Sequence, residues 1–582
     1  MSKSKKNQEQ IEKIRHSIAH IMALVIQKFY PGVKFGIGPA IEDGFYYDFD
    51  LSDNISSEDL SKIEKDMKRV IKKGIEFKGK SISKKEAQKL FEKQPYKLEL
   101  IKELEGKISV YESGEFVDLC KGPHVESSRQ INPKAFRLTN IAGAYWRGDE
   151  NNKMLTRIYG VAFNTEKELE EYLKLQEEAK KRDHRKLGKE LDLFCFSDLV
   201  GPGLPLYTPK GTFIKDKLQE KVEEICSRYG FEKVFTPHLA KIKLYELSGH
   251  AKKFGDELFH VSSKKGHQFV IRPVQCPHQT QIYASKTRSY RDLPIRYMES
   301  NKQYRAENSG EVGGLTRVYA ITVEDGHSFC EVSQVKDEVK GMVNIIKDFY
   351  SSFGLWGNHW VSLSVRDYKH PEKYIGEKKD WDMCEKMLQD VSEEMKLEAE
   401  RREGEAALYG PKLDFMFKDA LGKEIQIPTV QIDFATPKRF DLFYIDKKGQ
   451  KKHPVMVHRA ILGSYERFLA LIIEHFAGAF PFWLSPEQMW VVPISGGHIN
   501  YARKIHEELL ENGFRSKLRD ENETVSKKIR DGEMQKIPYL LVVGDKEMKS
   551  KAVRPRKRGK DLGEVKLVEF IKKAKLEEKK GK

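Results

Sequence analysis

His458-Arg459-Ala460-Ile461-Leu462-Gly463-Ser464-Tyr465-Glu466-Arg467 is the stretch that decides how this chain is read. It follows an apolar run, Val455-Met456-Val457, of the kind that forms a buried strand. Gly463 and Ser464 then punctuate the chain, and Ser464 can cap a helix whose apolar positions Phe468, Leu471, Ile472 and Phe476 recur at helical spacing. Arg467 falls in the first turn of that helix, where the macrodipole disfavours a cation by roughly 0.3–1 kcal/mol. A cation placed there against local preference points to an anionic partner. His458 leaves the strand on the face opposite Val457. The bland alternative is a solvated arginine and a packed histidine, and the rest of the chain must decide.

With 582 residues, length alone favours roughly four domains, or three if one is large. The hydrophobic fraction is 39% and a third of the residues are charged, a globular balance with enough apolar residues for several cores. The net charge of +16 favours a polyanionic partner. Its distribution says more: from Ser485 onward there are 24 Lys/Arg against 16 Asp/Glu, so half the excess lies in about a sixth of the chain. Six scattered cysteines (120, 195, 226, 276, 330 and 384) contain no Cys-x-x-Cys pair, which excludes a disulfide framework. The basic start, Met1-Ser2-Lys3-Ser4-Lys5-Lys6, leads into an amphipathic helix without a signal-type apolar core. No apolar run approaches the ~20 residues that span a bilayer, so a cytoplasmic protein without membrane contact is expected.

Near the amino terminus, Ile11, Ile14, Ile18, Met22, Val25 and Phe29 recur at helical spacing until Pro31-Gly32. His16 and His20 lie roughly opposite that stripe, one turn apart beside Ala19 and Ala23, which places them outside the helix's apolar core. Later come Cys120 and His124, flanking a Gly122-Pro123 turn. Three histidines and a cysteine suit a metal site or a hydrolytic cleft. Arg15-His16-Ser17-x-Ala19-His20, Phe35-Gly36-Ile37-Gly38-Pro39, Gly44-Phe45-Tyr46-Tyr47-Asp48, Cys120-x-Gly122-Pro123-His124 and Ala142-Gly143-Ala144-Tyr145-Trp146-Arg147-Gly148-Asp149 resemble the editing domain of threonyl-tRNA synthetases, a domain also found in alanyl-tRNA synthetases. Full-length bacterial members of that family usually begin with a small ubiquitin-like domain, whereas this sequence opens directly on the editing-like part.

Residues Glu166 to Lys189 are mostly charged with little apolar stripe and predict an exposed spacer helix. Gly230-Phe231-Glu232-Lys233-Val234-Phe235-Thr236-Pro237 resembles motif 1 of class II synthetases, which implies a homodimer. Two apolar runs, Arg296 to Tyr304 and Arg317 to Val323, flank a glycine-rich turn over Ser309 to Gly314 and predict an antiparallel hairpin. Strand alternation puts Arg305 and Glu307 on one face, a cation and a carboxylate able to hold a phosphate and an amino group. The hairpin resembles motif 2, and Gly463-Ser464-x-Glu466-Arg467 resembles motif 3. The resemblance implies that Arg305 grips the α-phosphate, Glu307 reads adenine, and Arg317 and Arg467 hold ATP. Lys412 and Gln426 would flank the ATP side, while Asp325, Tyr409 and Gln431 would receive threonine.

Pro277 suits the first position of a helix, and a thiol at a helix start, Cys276, has a lowered pKa and is a better metal ligand. His327 is expected to close the return strand of the hairpin and His458 the strand before motif 3. Their spacing alone identifies no site. All three stand where the family carries the Cys/His/His ligands of a zinc ion, one per subunit. That implied metal meets a real need: valine is nearly isosteric with threonine, and an apolar pocket separates such a pair only by ~10²-fold. Serine lacks one methyl, worth roughly 1–3 kcal/mol, so a serine-removing second site is expected. The sequence departs from the family pattern at Cys276-Pro277-His278-Gln279, where the family has Cys-Pro-Gly-His, at Ile321 in place of an adenine-stacking phenylalanine, and at Val323 in place of a glutamine.

The last part alternates strand and helix: strands at Met489–Val492, Phe514–Leu518 and Pro538–Val543, helices at Asn500–Leu510, Val525–Gln535 and after Gly563. It resembles the class IIa anticodon-binding domain, with Asn522, Arg530, Glu547 and Arg554 at base-reading positions. The run Arg554-Pro555-Arg556-Lys557-Arg558 suits contact with RNA backbone. The expected whole is an α+β multidomain chain: editing over residues 1–164, a linker helix over 165–189, a class II antiparallel-sheet catalytic domain over 190–484, and an α/β anticodon-binding domain over 485–582. The resemblance implies threonine activation by ATP with Mg²⁺, transfer to tRNA(Thr), and hydrolysis of seryl-tRNA(Thr). The alternative is a synthetase-derived RNA-binding regulator without aminoacylation.

Overall fold

Two units divide the chain, Met1–Glu177 and Glu178–Lys582. The structure, a computed structural model, describes residues 3–52, 55–308, 310–357, 359–418, 422, 424–579 and 581. Met1 and Ser2 of the basic start and Ser309 of the expected glycine-rich turn lie outside the described residues.

In the first unit the amino-terminal helix runs Lys3–Phe29 and stops ahead of Gly32, whose φ of 91° suits glycine. Ile14, Ile18, Met22 and Val25 are buried as their spacing predicts. The opposite face is buried as well, with Ala19, His20 and Ala23 at 1% exposure or less, which corrects the expectation that His20 lies outside the core. The reason is that the helix contacts two sheets. One is antiparallel in the order Lys34–Phe35, Gly44–Asp50, Met154–Ala162, Phe136–Tyr145. The other pairs Phe77–Ile82, Ile108–Ser113 and Phe116–Leu119, and it supplies Ser113 and Phe116 as neighbours of His20.

The second unit is built on a sheet ordered Glu232–Lys233, Ile295–Tyr304, Ala320–Cys330, Val455–Ser464, Glu424–Asp433, Lys412–Lys418, His359–Val365, Glu400–Glu403. Its interior pairings are antiparallel and its two edge strands join in parallel. Alternation gives the sheet two faces. Leu413, Phe415, Val430, Ile432 and Val457 enter one large core with Leu218, Val222, Met342, Ile346 and Phe468 from the covering helices. Their chain neighbours Thr429, Gln431 and His458 face a cavity instead.

Several boundaries differ from the sequence reading. Val455–Ser464 is one continuous strand and Ala320–Cys330 starts three residues after Arg317, so His458 and His327 lie within strands and do not close them. The spacer predicted over 166–189 is two helices, Glu166–Arg182 and His184–Glu190, and Asp183 caps the second by accepting from the Arg185 N–H. That second helix is no spacer: Leu187 and Leu191 give it the apolar stripe that the first one lacks, and both lie in the large core.

The carboxy-terminal part follows its predicted pattern, with strands Met489–Pro493, Ser516–Leu518 and Tyr539–Val543 in parallel and helices Ile499–Glu511, Val525–Met534 and Leu567–Lys579. The run read as an RNA-contacting stretch is a further strand, Ala552–Lys557, antiparallel to Tyr539–Val543. Among the described residues no helix is long and apolar enough to cross a membrane.

Candidate active site

The cavity-facing side chains of the large sheet line a space of about 390 Å³. Arg305, Glu307, Arg317 and Arg467 border it, as do Cys276, Asp325 and His458. Ile321, Val323 and Asp325 reach it because they share one face of the strand Ala320–Cys330.

Arginines dominate one part of the lining. The expectation that strand alternation aligns Arg305 with Glu307 is corrected: the strand ends at Tyr304, and both residues follow it in a turn where the Glu307 N–H donates to the Arg305 carbonyl. They border the cavity because the turn carries them there. Arg305 stacks its guanidinium over Phe254, 4.8 Å from the ring centroid. Glu307 accepts from Arg317 Nε at 2.7 Å, and Arg317 also meets Glu311 at 2.6 Å. Ser464 caps the helix Tyr465–His475 as its sequence predicts, accepting from the Arg467 N–H at 3.1 Å, so Arg467 does occupy the first turn. Gln426 donates to Asp414 at 2.7 Å and Lys412 pairs with the same carboxylate at 2.6 Å.

Cys276, His327 and His458 converge beside Asp325, their ligand atoms all within 4.8 Å of one another. His327 and His458 are directly paired across adjacent strands, with ring centroids 4.6 Å apart. Cys276 begins the helix Cys276–Ala284, as the Pro277 signal predicts. Its thiol is not lowered as expected, however: burial, reinforced by Asp325 and Asp433, pushes it well above its ordinary value. Each histidine has one nitrogen held from behind. His327 Nδ1 lies 2.7 Å from Gln279 Oε1, and His458 Nε2 lies 3.1 Å from Asp433 Oδ2. His327 Nε2 is buried without a hydrogen-bond partner. One thiol and two imidazoles, each oriented by an outer amide or carboxylate, fit a tetrahedral metal with one position open. Gln279 was visible in the sequence only as a departure from the family's Cys-Pro-Gly-His, and Asp433 carried no signal beyond its nearness to better motifs.

Around this cluster, Tyr409 stacks on His458 at 4.7 Å and donates its hydroxyl to Gln431 Oε1 at 2.8 Å. Burial, with Glu324 nearby, pushes Asp325 up to about 8. A cation at the three ligands would draw it back toward the carboxylate form.

The first unit brings together His16, His20, Cys120 and His124, again with ligand atoms within 4.8 Å of one another. Cys120 Sγ lies 3.3 Å from His16 Nε2 and 3.2 Å from His124 Nε2. Burial lowers all three imidazoles, His124 to about 2, and raises the Cys120 thiol to about 11, so the cluster is neutral near pH 7. Beneath it, Asp118 pairs with Lys97, accepts from the Tyr47 hydroxyl at 2.5 Å and lies 3.6 Å from His20 Nε2. Tyr47 lay in a quoted motif but was given no role, and Lys97 was not singled out, because it is a single polar residue inside an otherwise ordinary helix.

The four anticodon candidates part company. Asn522 and Arg530 are exposed. Arg554 is also exposed but pairs with Asp561 at 2.9 Å. Glu547 is 5% exposed and accepts from the Gly544 N–H, so in the free chain it holds its own turn. The adjoining basic run is likewise engaged: Lys557 pairs with Glu577 at 2.9 Å, and Arg558 donates to the Ala479 and Phe480 carbonyls.

The antiparallel sheet, with arginines on its hairpin turn and on the helix that follows its central strand, is the core of a class II aminoacyl-tRNA synthetase by its family match. Residues 259–476 match the tRNA synthetase class II core domain (G, H, P, S and T), and residues 488–577 match the anticodon binding domain. Residues 108–159 match the threonyl and alanyl tRNA synthetase second additional domain. The threonine–tRNA ligase of Geobacillus sp. (strain WCH70) is 47% identical over 97% of this chain and 88% of its own length. That of Gloeobacter violaceus is 46% identical over 97% and 92%. Among solved structures, the RNA binding domain of threonyl-tRNA synthetase from Cryptosporidium parvum Iowa II is similar over 68% of this chain and 98% of its own, with 33% identity and a TM-score of 0.63. The chain belongs to the threonine–tRNA ligase family.

Proposed function

We propose that this chain activates L-threonine with ATP and Mg²⁺, transfers it to tRNA(Thr), and hydrolyses seryl-tRNA(Thr) at a second site. In this reading it acts as a cytoplasmic homodimer, with editing over residues 1–164, catalysis over 190–484 and anticodon binding over 485–582. The observation that carries the reading is one cavity bordered both by arginines suited to a nucleotide and by Cys276 and His458 of the Cys/His/His set, beside Asp325.

Arg305, Arg317 and Arg467 supply cations for the triphosphate, and Glu307 accepts from the adenine amino group once Arg317 has turned to phosphate. Gln426 and Lys412, joined through Asp414, flank the same region. Catalysis is electrostatic positioning: the threonine carboxylate attacks the α-phosphate in line while Arg305 offsets the growing charge. Cys276, His327 and His458 would hold a zinc ion, which would supply Lewis-acid recognition of the substrate's amino and hydroxyl groups. Asp325, as carboxylate, accepts from the hydroxyl; Tyr409 and Gln431 hold the substrate's remaining polar edge. A substrate without a hydroxyl leaves Asp325 buried and unpaired, which penalises valine far more than the loss of dispersion contacts does. Serine keeps the hydroxyl, so the His16, His20, Cys120 and His124 cluster is assigned to its removal. In the anticodon part, Asn522 and Arg530 are free to meet bases, Arg554 after release from Asp561.

Threonine-dependent exchange of pyrophosphate into ATP tests this. Strong exchange with threonine, weak exchange with serine and almost none with valine is expected. Exchange with another amino acid in preference to threonine, or none at all, would overturn it.

A further inference from the structure

We propose that His184 is a positioning residue that latches the loop Gly313–Arg317 onto the arginine-lined part of the cavity, acting from a helix that does not border it. This rests on reading that part of the cavity as the ATP site. His184 opens the helix His184–Glu190 and is 6% exposed.

Its hydrogen bonds fix its protonation. The Leu315 backbone N–H donates to His184 Nε2 at 3.1 Å, so Nε2 carries no proton. The proton is therefore on Nδ1, which donates to Glu474 Oε1 at 2.7 Å, in the last turn of the helix that begins with motif 3. Glu474 also accepts from the His184 backbone N–H at 3.3 Å. Asp183, His184 and Glu474 are close enough to resemble a metal cluster, but both ring nitrogens are already engaged within the protein. The imidazole is thus a bridge between the motif 3 helix and the motif 2 loop.

That loop carries what the cavity needs. Gly313 and Arg317 exchange backbone hydrogen bonds at 3.1 and 3.4 Å, closing it into a tight tip. The Thr316 carbonyl accepts from Arg467 Nε at 3.3 Å, and Arg317 reaches Glu307. Leu315, the residue held by His184, is fully buried and adjoins Thr316. Gly314 backs directly onto the ring: a Cβ there would lie 2.3 Å from His184 Nε2, and its φ of 52° disfavours any side chain. Without an acceptor at Nε2 the Leu315 N–H is buried and unpaired, and the loop's cheapest escape is to lift, taking Thr316 and Arg317 with it.

His184→Phe keeps the ring's volume and removes both nitrogens. It should raise the ATP KM about tenfold, the scale of one lost buried hydrogen bond, with little change in the threonine KM or in kcat. Hydrogen exchange at the Leu315 amide, protected in the parent chain, should accelerate in the same variant. His184→Gln, whose terminal amide can still accept from Leu315, should recover part of both effects. Gly314→Ala leaves the histidine in place but drives a methyl group at it, and should give the same ATP-selective rise. Parent-like protection of Leu315 in His184→Phe, or parallel losses of ATP and threonine binding in His184→Phe and Gly314→Ala, would overturn the proposal. If the parent chain shows no threonine-dependent exchange, the cavity assignment fails instead, while Leu315 protection still decides whether the latch exists.

Discussion

His327 Nδ1 and Gln279 Oε1 lie 2.7 Å apart, both fully buried. The amide oxygen can only accept, so the imidazole proton is on Nδ1 and Nε2 is left as the ligand atom. Nε2 has no hydrogen-bond partner, and the carboxylate near it, Asp325 Oδ1, is 3.7 Å away. Gln279→Leu should therefore weaken zinc binding by roughly 10–100-fold, the usual cost of losing an outer-shell partner. Competition with a chromophoric chelator measures this directly. Unchanged affinity would mean that the ring is oriented by its packing alone.

Removing a ligand outright is the stronger test of what the metal does. Cys276→Ala should lose stoichiometric zinc and abolish threonine activation while the chain stays folded, since only the sulfur disappears from a small side chain. ATP binding, which draws on Arg305, Arg317 and Arg467, should survive. A Cys276→Ala chain that activates threonine at near the parent rate would show that selection does not run through the metal.

Ile321 lines the cavity on the same strand face as Val323 and Asp325. A phenylalanine there could stack on a purine, a contact worth about 0.5–1.5 kcal/mol. Ile321→Phe should thus lower the ATP KM several-fold and leave the threonine KM nearly unchanged. An unchanged or higher ATP KM would assign the adenine face to another side chain.

The hairpin and the strand leading to Ser464 were legible because apolar runs and glycine punctuation are local signals, while family resemblance supplied the rest of the sheet and its motifs. Val457 facing the core with His458 facing the cavity is alternation and nothing more. What stayed hidden depends on tertiary placement. His20 lay opposite an apolar stripe, yet a second sheet covers that face as well. The helix His184–Glu190 looked like a solvated linker because its leucines are few and its charges many, though Leu187 and Leu191 anchor it in the core. Basic residues from Arg554 to Arg558 pointed to RNA contact, but Arg554 is held by nearby Asp561, and Lys557 and Arg558 by Glu577 and by the Ala479 and Phe480 carbonyls, further off in sequence. Family resemblance supplied the ligand triad, whose separations along the chain say nothing by themselves.

Burial keeps His16, His20 and His124 neutral in the folded first unit, with His124 held to about 2. An unfolded histidine takes up its proton near pH 6.5, as an ordinary imidazole does. The unfolded chain then binds more protons, so stability is full above about pH 6.5 and falls as the pH drops toward the folded values. Hydrogen-exchange protection in the helix Lys3–Phe29, measured against the intrinsic rate at each pH, should fall on acidification through that window. In His124→Phe, which cannot titrate, the loss of protection should be shallower. Equal slopes in the two chains would locate the acid sensitivity elsewhere.

The cluster of His16, His20, Cys120 and His124 has the donor set of a zinc site, and under the proposed function it serves hydrolysis instead. Cys120 Sγ is within hydrogen-bond distance of both His16 and His124, and His124 Nδ1 is 3.1 Å from Ser17 Oγ. His20 Nδ1 turns to Ser113 Oγ at 3.2 Å, and its other nitrogen faces Asp118, itself paired with Lys97. Such a chain of donors and acceptors can orient a water and accept its proton as it attacks an ester carbonyl, with neutral imidazole as the base. Serine keeps every polar contact that threonine makes at the synthetic site, so removing it needs this second chemistry. His16→Ala/His20→Ala should leave threonine charging at the parent level and let seryl-tRNA(Thr) accumulate. Metal analysis of the parent should find about one zinc per chain, the one expected at Cys276, His327 and His458. Two zincs per chain, with one lost in the double variant, would move these histidines from editing chemistry to metal ligation.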